Sequence, residues 1–145
     1  MLEFSQASSL DATELDMLDR EIFGNKNYSN YREILRSDVA SVFVAKYGES
    51  IAGYIYLSCA GDEGEIYHIG VREKFRRRNI AIKLIQFSFE KLKTKGIKKI
   101  FLEVKSENIA AIRLYEKVGF MQYNLRRNYY GNGIDAKCYV MEVVR

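Results

Sequence analysis

Hydrophobic and polar positions change their rhythm several times along the chain, and each change marks an element. Leu2 to Ser5 reads as a short first strand. Asp11 followed by Glu14 offers a capping-box-like start to a helix that runs to Phe23. Gly24-Asn25-Lys26-Asn27-Tyr28-Ser29 reads as a loop, and Asn30 to Arg36 as a short second helix. Ser41 to Lys46 and Ile51 to Ser58 are β-branched and aromatic runs on either side of Tyr47-Gly48-Glu49-Ser50, which predicts a hairpin. Gly61-Asp62-Glu63-Gly64 is a tight turn leading into a strand over Glu65 to Val71.

The period then lengthens. Ile80, Leu84 and Phe87 follow one row and Ala81, Ile85, Phe89 and Leu92 another, which is helical spacing that ends at Gly96. Lys99 to Val104 is a nearly continuous apolar run, of the kind buried on both faces of a sheet. Asn108 to Val118 predicts another helix, closed by Gly119. Phe120 to Asn124 and Asp135 to Val144 are late strands around the turn Gly131-Asn132-Gly133. The order β-α-α-β-β-β-α-β-α-β-β is that of a mixed α/β domain. At its centre is a β-α-β unit, so Glu65–Val71 and Lys99–Val104 are expected to run parallel.

Composition narrows the class. A chain of 145 residues, 48% hydrophobic and 29% charged, has the size and apolar content of one domain, residues 1–145. Two cysteines and a single histidine exclude a disulfide framework and a four-ligand Cys/His zinc site, so no metal is expected. No apolar run approaches the ~20 residues that span a bilayer, and Met1 to Leu18 lacks the basic start of a signal peptide. A cytoplasmic protein without a membrane partner is the expectation.

Charge is unevenly placed. Residues 1–70 hold 5 basic and 12 acidic side chains, whereas residues 71–145 hold 18 and 7. Such polarity points to an anion bound by the C-terminal half and a cation against the other. Lys91, Lys93, Lys95, Lys98 and Lys99 read as a solvated face. The run Arg76-Arg77-Arg78-Asn79-Ile80-Ala81 is different, because it opens a helix whose first amides lack internal partners. On spacing alone it reads equally as an anion cradle or as an exposed basic loop with an ordinary Asn cap.

These residues carry a resemblance. Val71 to Ala81 resembles the acyl-CoA pyrophosphate loop of the GNAT superfamily of N-acetyltransferases, Gln/Arg-x-x-Gly-x-Gly/Ala, with Asn79 where the pattern has its first glycine. Leu102 to Phe120 is similar to the family's fifth strand and following helix, with its Asn…Ala-x-x-Leu-Tyr…Gly-Phe ending. Arg126-Arg127-Asn128-Tyr129-Tyr130, with Asp135-Ala136 and Met141, resembles the narrower group that acetylates protein N-termini, closest to the ribosomal protein alanine N-acetyltransferases of RimI type. The resemblance covers residues 40–145 well. Residues 1–39 match only in element order, and their loop lacks the Pro-Trp pair of that group.

The resemblance implies a single-domain GNAT-like fold: a mixed, mostly antiparallel sheet splayed at a central parallel pair, with helices on both faces. It implies acetyl-CoA as co-substrate, held by Ile69, Val71, Arg76, Arg77, Arg78, Asn79, Ala81 and Asn108. The strand holding Ile69 and Val71 would supply backbone groups rather than side chains. Glu103 would be the base, and Tyr115, two turns after Asn108, the acid that protonates the departing sulfur. Burial of Glu103 would raise its pKa toward the working range, although an interior carboxylate is as readily satisfied by a neighbouring arginine. Tyr28, His68, Tyr129 and Tyr130 would meet the acceptor, a peptide or protein N-terminus such as that of a ribosomal protein, with Phe23 to Tyr28 as the opposing wall. His68, the sole histidine, is the alternative base.

Cys59 and Cys138 have no base beside them in sequence, which favours direct attack in a ternary complex over an acyl-cysteine route. Three other readings stand beside this one: acetylation of a small-molecule amine, a non-catalytic acyl-CoA-binding module, and nucleic-acid binding by the basic clusters. The last lacks an aromatic-interleaved platform. A monomer or weak dimer is expected.

Overall fold

The computed structural model describes residues 1–25 and 29–143. Along the chain run β1 (Leu2–Gln6), α1 (Ala12–Phe23), α2 (Tyr31–Ile34), β2 (Ala40–Tyr47), β3 (Ser50–Ala60), β4 (Glu63–Val71), α3 (Ile80–Lys93), β5 (Lys99–Lys105), α4 (Ile109–Val118), β6 (Met121–Arg126) and β7 (Ala136–Glu142). The strands form one sheet in the order β1-β2-β3-β4-β5-β7-β6, antiparallel throughout except for β4 and β5. Among the described residues no helix is long and apolar enough to cross a membrane.

Alternation along β2 and β3 sends side chains into two separate cores. Phe43, Ala45, Ile55 and Leu57 point to the face covered by α3 and α4, where they meet Ile80, Leu84, Phe89 and Ile112. Val42, Val44, Ile51 and Tyr54 point to the opposite face, against Leu15 and Leu18 of α1 and Tyr31 of α2. Each fully buried aliphatic side chain contributes about 1.5–3 kcal/mol of transfer free energy, so both faces hold the sheet. Gly70 lets α1 lie close on β4, since a Cβ there would stand 2.7 Å from Ile22 Cδ1.

Two departures from regularity open the centre of the sheet. β4 and β5 pair only at Glu63–Lys99, Gly64–Ile100 and Glu65–Phe101, after which the strands part. On its other side β4 pairs Ile66 with Leu57 and His68 with Tyr56, leaving Tyr67 as the extra residue of a bulge. Beyond Glu65 the edge of β4 through Ile69 and Val71 therefore has no strand on the β5 side among the described residues.

Two sequence expectations need correction. β5 is not buried on both faces: Ile100, Leu102 and Val104 are buried under α3 and α4, while Phe101 and Glu103 are only half-buried, because the parted strands leave that face open. The capping box lies earlier than Asp11–Glu14. Ser8 and Asp11 form it reciprocally around a 3-10 turn, and Glu14 instead accepts from the Ile51 amide at 2.9 Å and from Arg72 at 3.3 Å.

Candidate active site

One side of the opening joins a backbone turn to a largely apolar wall. The turn after β4 places Arg77 (φ 67) and Asn79 (φ 60) in left-handed conformation, just before α3. Asparagine tolerates this region with little strain, so Asn79 fits where the family pattern has glycine. Its side chain makes no cap bond, which leaves the first-turn amides of α3 without a side-chain cap. A groove of about 620 Å³ follows, lined by Arg76, Arg77, Asn79 and Ala81 at one end and by Ile69, Val71, Asn108 and Ala111 further along. Small Ala81, Ala110 and Ala111 keep its walls low. Left-handed amides, a helix N-terminus and two guanidinium groups, of which Arg76 also donates through Nε to the Val71 carbonyl at 3.0 Å, suit a diphosphate, and the β4 edge without a strand beside it suits an extended amide chain, so these residues fit acyl-CoA.

The opposite side is built from side chains. Two adjoining cavities of about 620 and 540 Å³ share Glu65, Tyr67, Glu103 and Tyr129. Glu103 projects from β5 with Oε2 at 3.2 Å from Arg126 Nε, and accepts a long contact from Cys138 Sγ at 3.7 Å. Glu65 faces the same space; burial, then the charge of Glu103, push its carboxyl above the usual range against the pull of Arg126. Tyr129 and Tyr130 pack edge to face, and the Arg126 guanidinium lies over the Tyr129 ring.

His68 lies between the two sides. It lines the cleft with Glu103 and Tyr130, while its ring stacks at 4.6 Å on Phe23, which also lines the groove. Its Nδ1 is 2.8 Å from Asp19 Oδ1. Asp19 is fully buried and also accepts from the hydroxyls of Tyr31 and Tyr54. Burial raises its carboxyl pKa, but the His68 and Tyr54 hydrogen bonds outweigh that and hold it below the ordinary range.

Most sequence-derived candidates line one of these spaces, with three exceptions. Arg78 turns away from the groove to stack on Tyr47 and Phe75, donating to the Tyr47 hydroxyl at 3.3 Å. Tyr115 is 7% exposed, packs against Phe120, and has its phenol pushed up to about 12 by burial. Tyr28 lies outside the described residues. Asn108 lines the groove but spends its Oδ1 on capping α4, accepting from the Ala111 amide at 3.2 Å. Cys138 is buried, and burial, then the charge of Glu103, push its thiol pKa up.

The model of the acetyltransferase (GNAT) family matches residues 9–120. The chain belongs to the GNAT acetyltransferase family. It is 35% identical over 82 residues to the [ribosomal protein bS18]-alanine N-acetyltransferase of Salmonella typhimurium, a match covering 57% of this chain and 55%, about half, of that relative. It is 32% identical over 125 residues to an N-alpha-acetyltransferase of Sulfurisphaera tokodaii, covering 77% and 75% of the two chains. The ribosomal-protein-S18-alanine N-acetyltransferase from Escherichia coli superposes with a TM-score of 0.81 at 21% identity, over 100% of this chain and 96% of that one. Arabidopsis thaliana NAA60 in complex with acetyl-CoA superposes at 0.85 with 20% identity, over 98% of each chain. At these identities the two structures bear on the fold, which they share with this GNAT chain.

Within the GNAT fold, sequence reasoning passed over Asp19, Glu65, Tyr67 and Arg126 as site residues. Besides the backbone groups and His68 expected of β4, Glu65 and Tyr67 also line the cleft, next to the bulge at Tyr67 and the parting after Glu65. Asp19 carried a usable signal. It falls on the stripe Ala12, Leu15, Leu18, Asp19, all buried, so a charge sat among core positions of a helix.

Proposed function

We propose that this chain transfers the acetyl group of acetyl-CoA to a primary amine, the N-terminal α-amine of a protein such as a ribosomal protein, by direct attack in a ternary complex. The observation that carries this reading is the meeting of two unlike spaces at the parting of β4 and β5: a largely apolar groove with arginines and the start of α3 at one end, suited to a diphosphate and pantetheine, and a carboxylate-lined cleft for an amine. The names of the two sequence relatives support the α-amine as acceptor.

Acetyl-CoA, when bound, supplies an activated thioester. Arg76, Arg77 and the amides around Asn79 would hold its diphosphate, and the β4 edge near Ile69 and Val71 would pair with its pantetheine arm and polarise the thioester carbonyl. Glu103 would accept a proton from the acceptor nitrogen. Tyr115, whose raised pKa keeps the phenol protonated at neutral pH, would protonate the departing sulfur. Tyr129 and Tyr130 would hold the first residues of the peptide.

A second reading has its own support. Glu63, Glu65 and Glu103 among tyrosines also suit a small polyamine. Mass spectrometry of products from a panel of peptides, polyamines and aminoglycosides, after calorimetric demonstration of acetyl-CoA binding, separates the two. Acetylation of peptide α-amines is the expected outcome; acetylated polyamine alone would replace this reading with the second.

A further inference from the structure

The Asp19–His68 pair stands where groove and cleft meet, and neither the diphosphate cradle nor the Glu103 side accounts for it. Asp19 is fully buried, its Oδ1 meets the Tyr31 and Tyr54 hydroxyls and His68 Nδ1, and the Ser29 side chain hydrogen-bonds to the carboxylate as well. Holding a charge so far from water costs several kcal/mol, and core packing alone would be served better by an apolar side chain. The contacts do fix one thing, the state of the imidazole. Tyr31 and Tyr54 donate to a carboxylate that keeps its negative charge, so Nδ1 must donate to it as well. A neutral His68 then carries its proton on Nδ1 and its lone pair on Nε2.

The ring has little freedom to leave that arrangement. Phe23 stacks on it at 4.6 Å, Tyr56 meets it edge-on at 6.3 Å, and 24% of the side chain stays exposed, in the cleft. Glu103, by contrast, already shares Oε2 with Arg126 and Cys138.

We propose that His68, aligned by Asp19, takes the first proton from the acceptor ammonium, before the amine attacks. This rests on the acetyl-transfer reading above and adds a catalytic residue, His68, and a positioning residue, Asp19. An N–H bond of the ammonium breaks, its proton goes to Nε2, and the electron pair stays on nitrogen. That pair forms the C–N bond to the acyl carbon while the C–S bond breaks and its pair passes to sulfur. Sulfur takes the Tyr115 proton, and Glu103 takes the second proton from nitrogen. Tyr115 regains a proton from the two that left nitrogen, and the other is released to solvent. The groups around His68 suit an imidazolium: Asp19 from α1, Glu33 from α2, Tyr56 from β3, Glu65 and Tyr67 from β4, Glu103 from β5, and Tyr129 and Tyr130 from the β6–β7 connection. Arg126, the cleft's arginine, is paired with Glu103.

The chain has one histidine, so imidazole ¹⁵N NMR of the ligand-free protein reads the pair directly. The neutral ring should carry its proton on Nδ1; a proton on Nε2 would overturn the proposal. In assays with acetyl-CoA and an alanine-initiated octapeptide, His68→Gln should lower kcat about 10²-fold, leave the acetyl-CoA Kd within about twofold, and flatten the acidic limb of the kcat/KM profile. Asp19→Asn should lower kcat and, in the same ¹⁵N spectra, abolish the preference of the neutral ring for the Nδ1 proton, since the carboxylate that accepts from Nδ1 is gone. A fall in kcat with the acidic limb unchanged in His68→Gln would mean packing only and would also overturn it. Wild-type inactivity on every amine would remove the acetyl-transfer reading and this proposal together. An active wild type with an indifferent His68→Gln removes the proposal alone.

Discussion

The groove and the cleft lie on either side of the same parted strands, yet they are made of different material. The groove sets main chain at its mouth, namely left-handed Arg77 and Asn79, the start of α3 and the β4 edge beyond Glu65, against apolar side chains such as Ile22, Phe23, Phe75 and Leu114. The cleft is mostly side chain, with Glu65, Tyr67, Glu103 and Tyr129 drawn from β4, β5 and the β6–β7 connection. Backbone recognition needs a local conformation, which a short motif can encode and which many sequences can satisfy. Side-chain recognition needs residues from distant segments to converge, so it is free to change with the acceptor. Substitutions on the two sides should therefore fail in different ways, one in binding and the other in turnover.

The largest effect is expected on turnover, at the two groups proposed to move protons. Glu103→Gln and Tyr115→Phe should each lower kcat by about 10²–10⁴-fold while acetyl-CoA binding persists, as steady-state kinetics beside calorimetry will show. Loss of binding in Glu103→Gln would erase the distinction between the two sides.

On the groove side, Gly70→Ala should destabilise the fold by about 1–3 kcal/mol, because the new Cβ would meet Ile22 Cδ1 at 2.7 Å and the Tyr54 ring at 2.9 Å. Urea denaturation measures this. A smaller change is expected at Asn79. Asn79→Val forces a β-branched residue into left-handed backbone at a cost of about 1–2 kcal/mol and should weaken acetyl-CoA binding, whereas Asn79→Gly should leave affinity unchanged or improve it. Equal behaviour of the two variants would mean that the conformation at φ 60 does not matter for binding.

The smallest effect concerns pH. The folded-state pKa of Asp19 is depressed, so its contribution to stability is present above about pH 4 and is lost as pH falls through the lowered value. The urea midpoint of the wild type should therefore drop more steeply on acidification than that of Asp19→Asn. Parallel curves would mean that this carboxylate adds no acid sensitivity.

How much of this was legible in sequence depends on whether a feature is local. The β-α-β centre, the hairpins and both helix closures follow from periodicity and turn residues, and their order is the observed one. The Arg76–Ala81 turn was legible because its conformation is set within a few residues. The half-open face of β5 was not, because an apolar run such as Ile100-Phe101-Leu102 does not reveal where its parallel partner departs. Glu65 became a cleft residue through that same departure, and Arg126 through the hairpin that brings it to 3.2 Å from Glu103. Asp19 differs from these, since its place on an apolar stripe was visible in sequence; its partners Tyr31, Tyr54 and His68, 12, 35 and 49 residues away, were not.

The central claim is that binding and turnover belong to opposite sides of one opening. Titration of acetyl-CoA into the wild type and into Glu103→Gln, followed calorimetrically, tests it most directly. Heat and closely similar Kd values are expected for both proteins, with turnover lost only in the variant. Absence of heat with the wild type, or binding that disappears with Glu103, would contradict it.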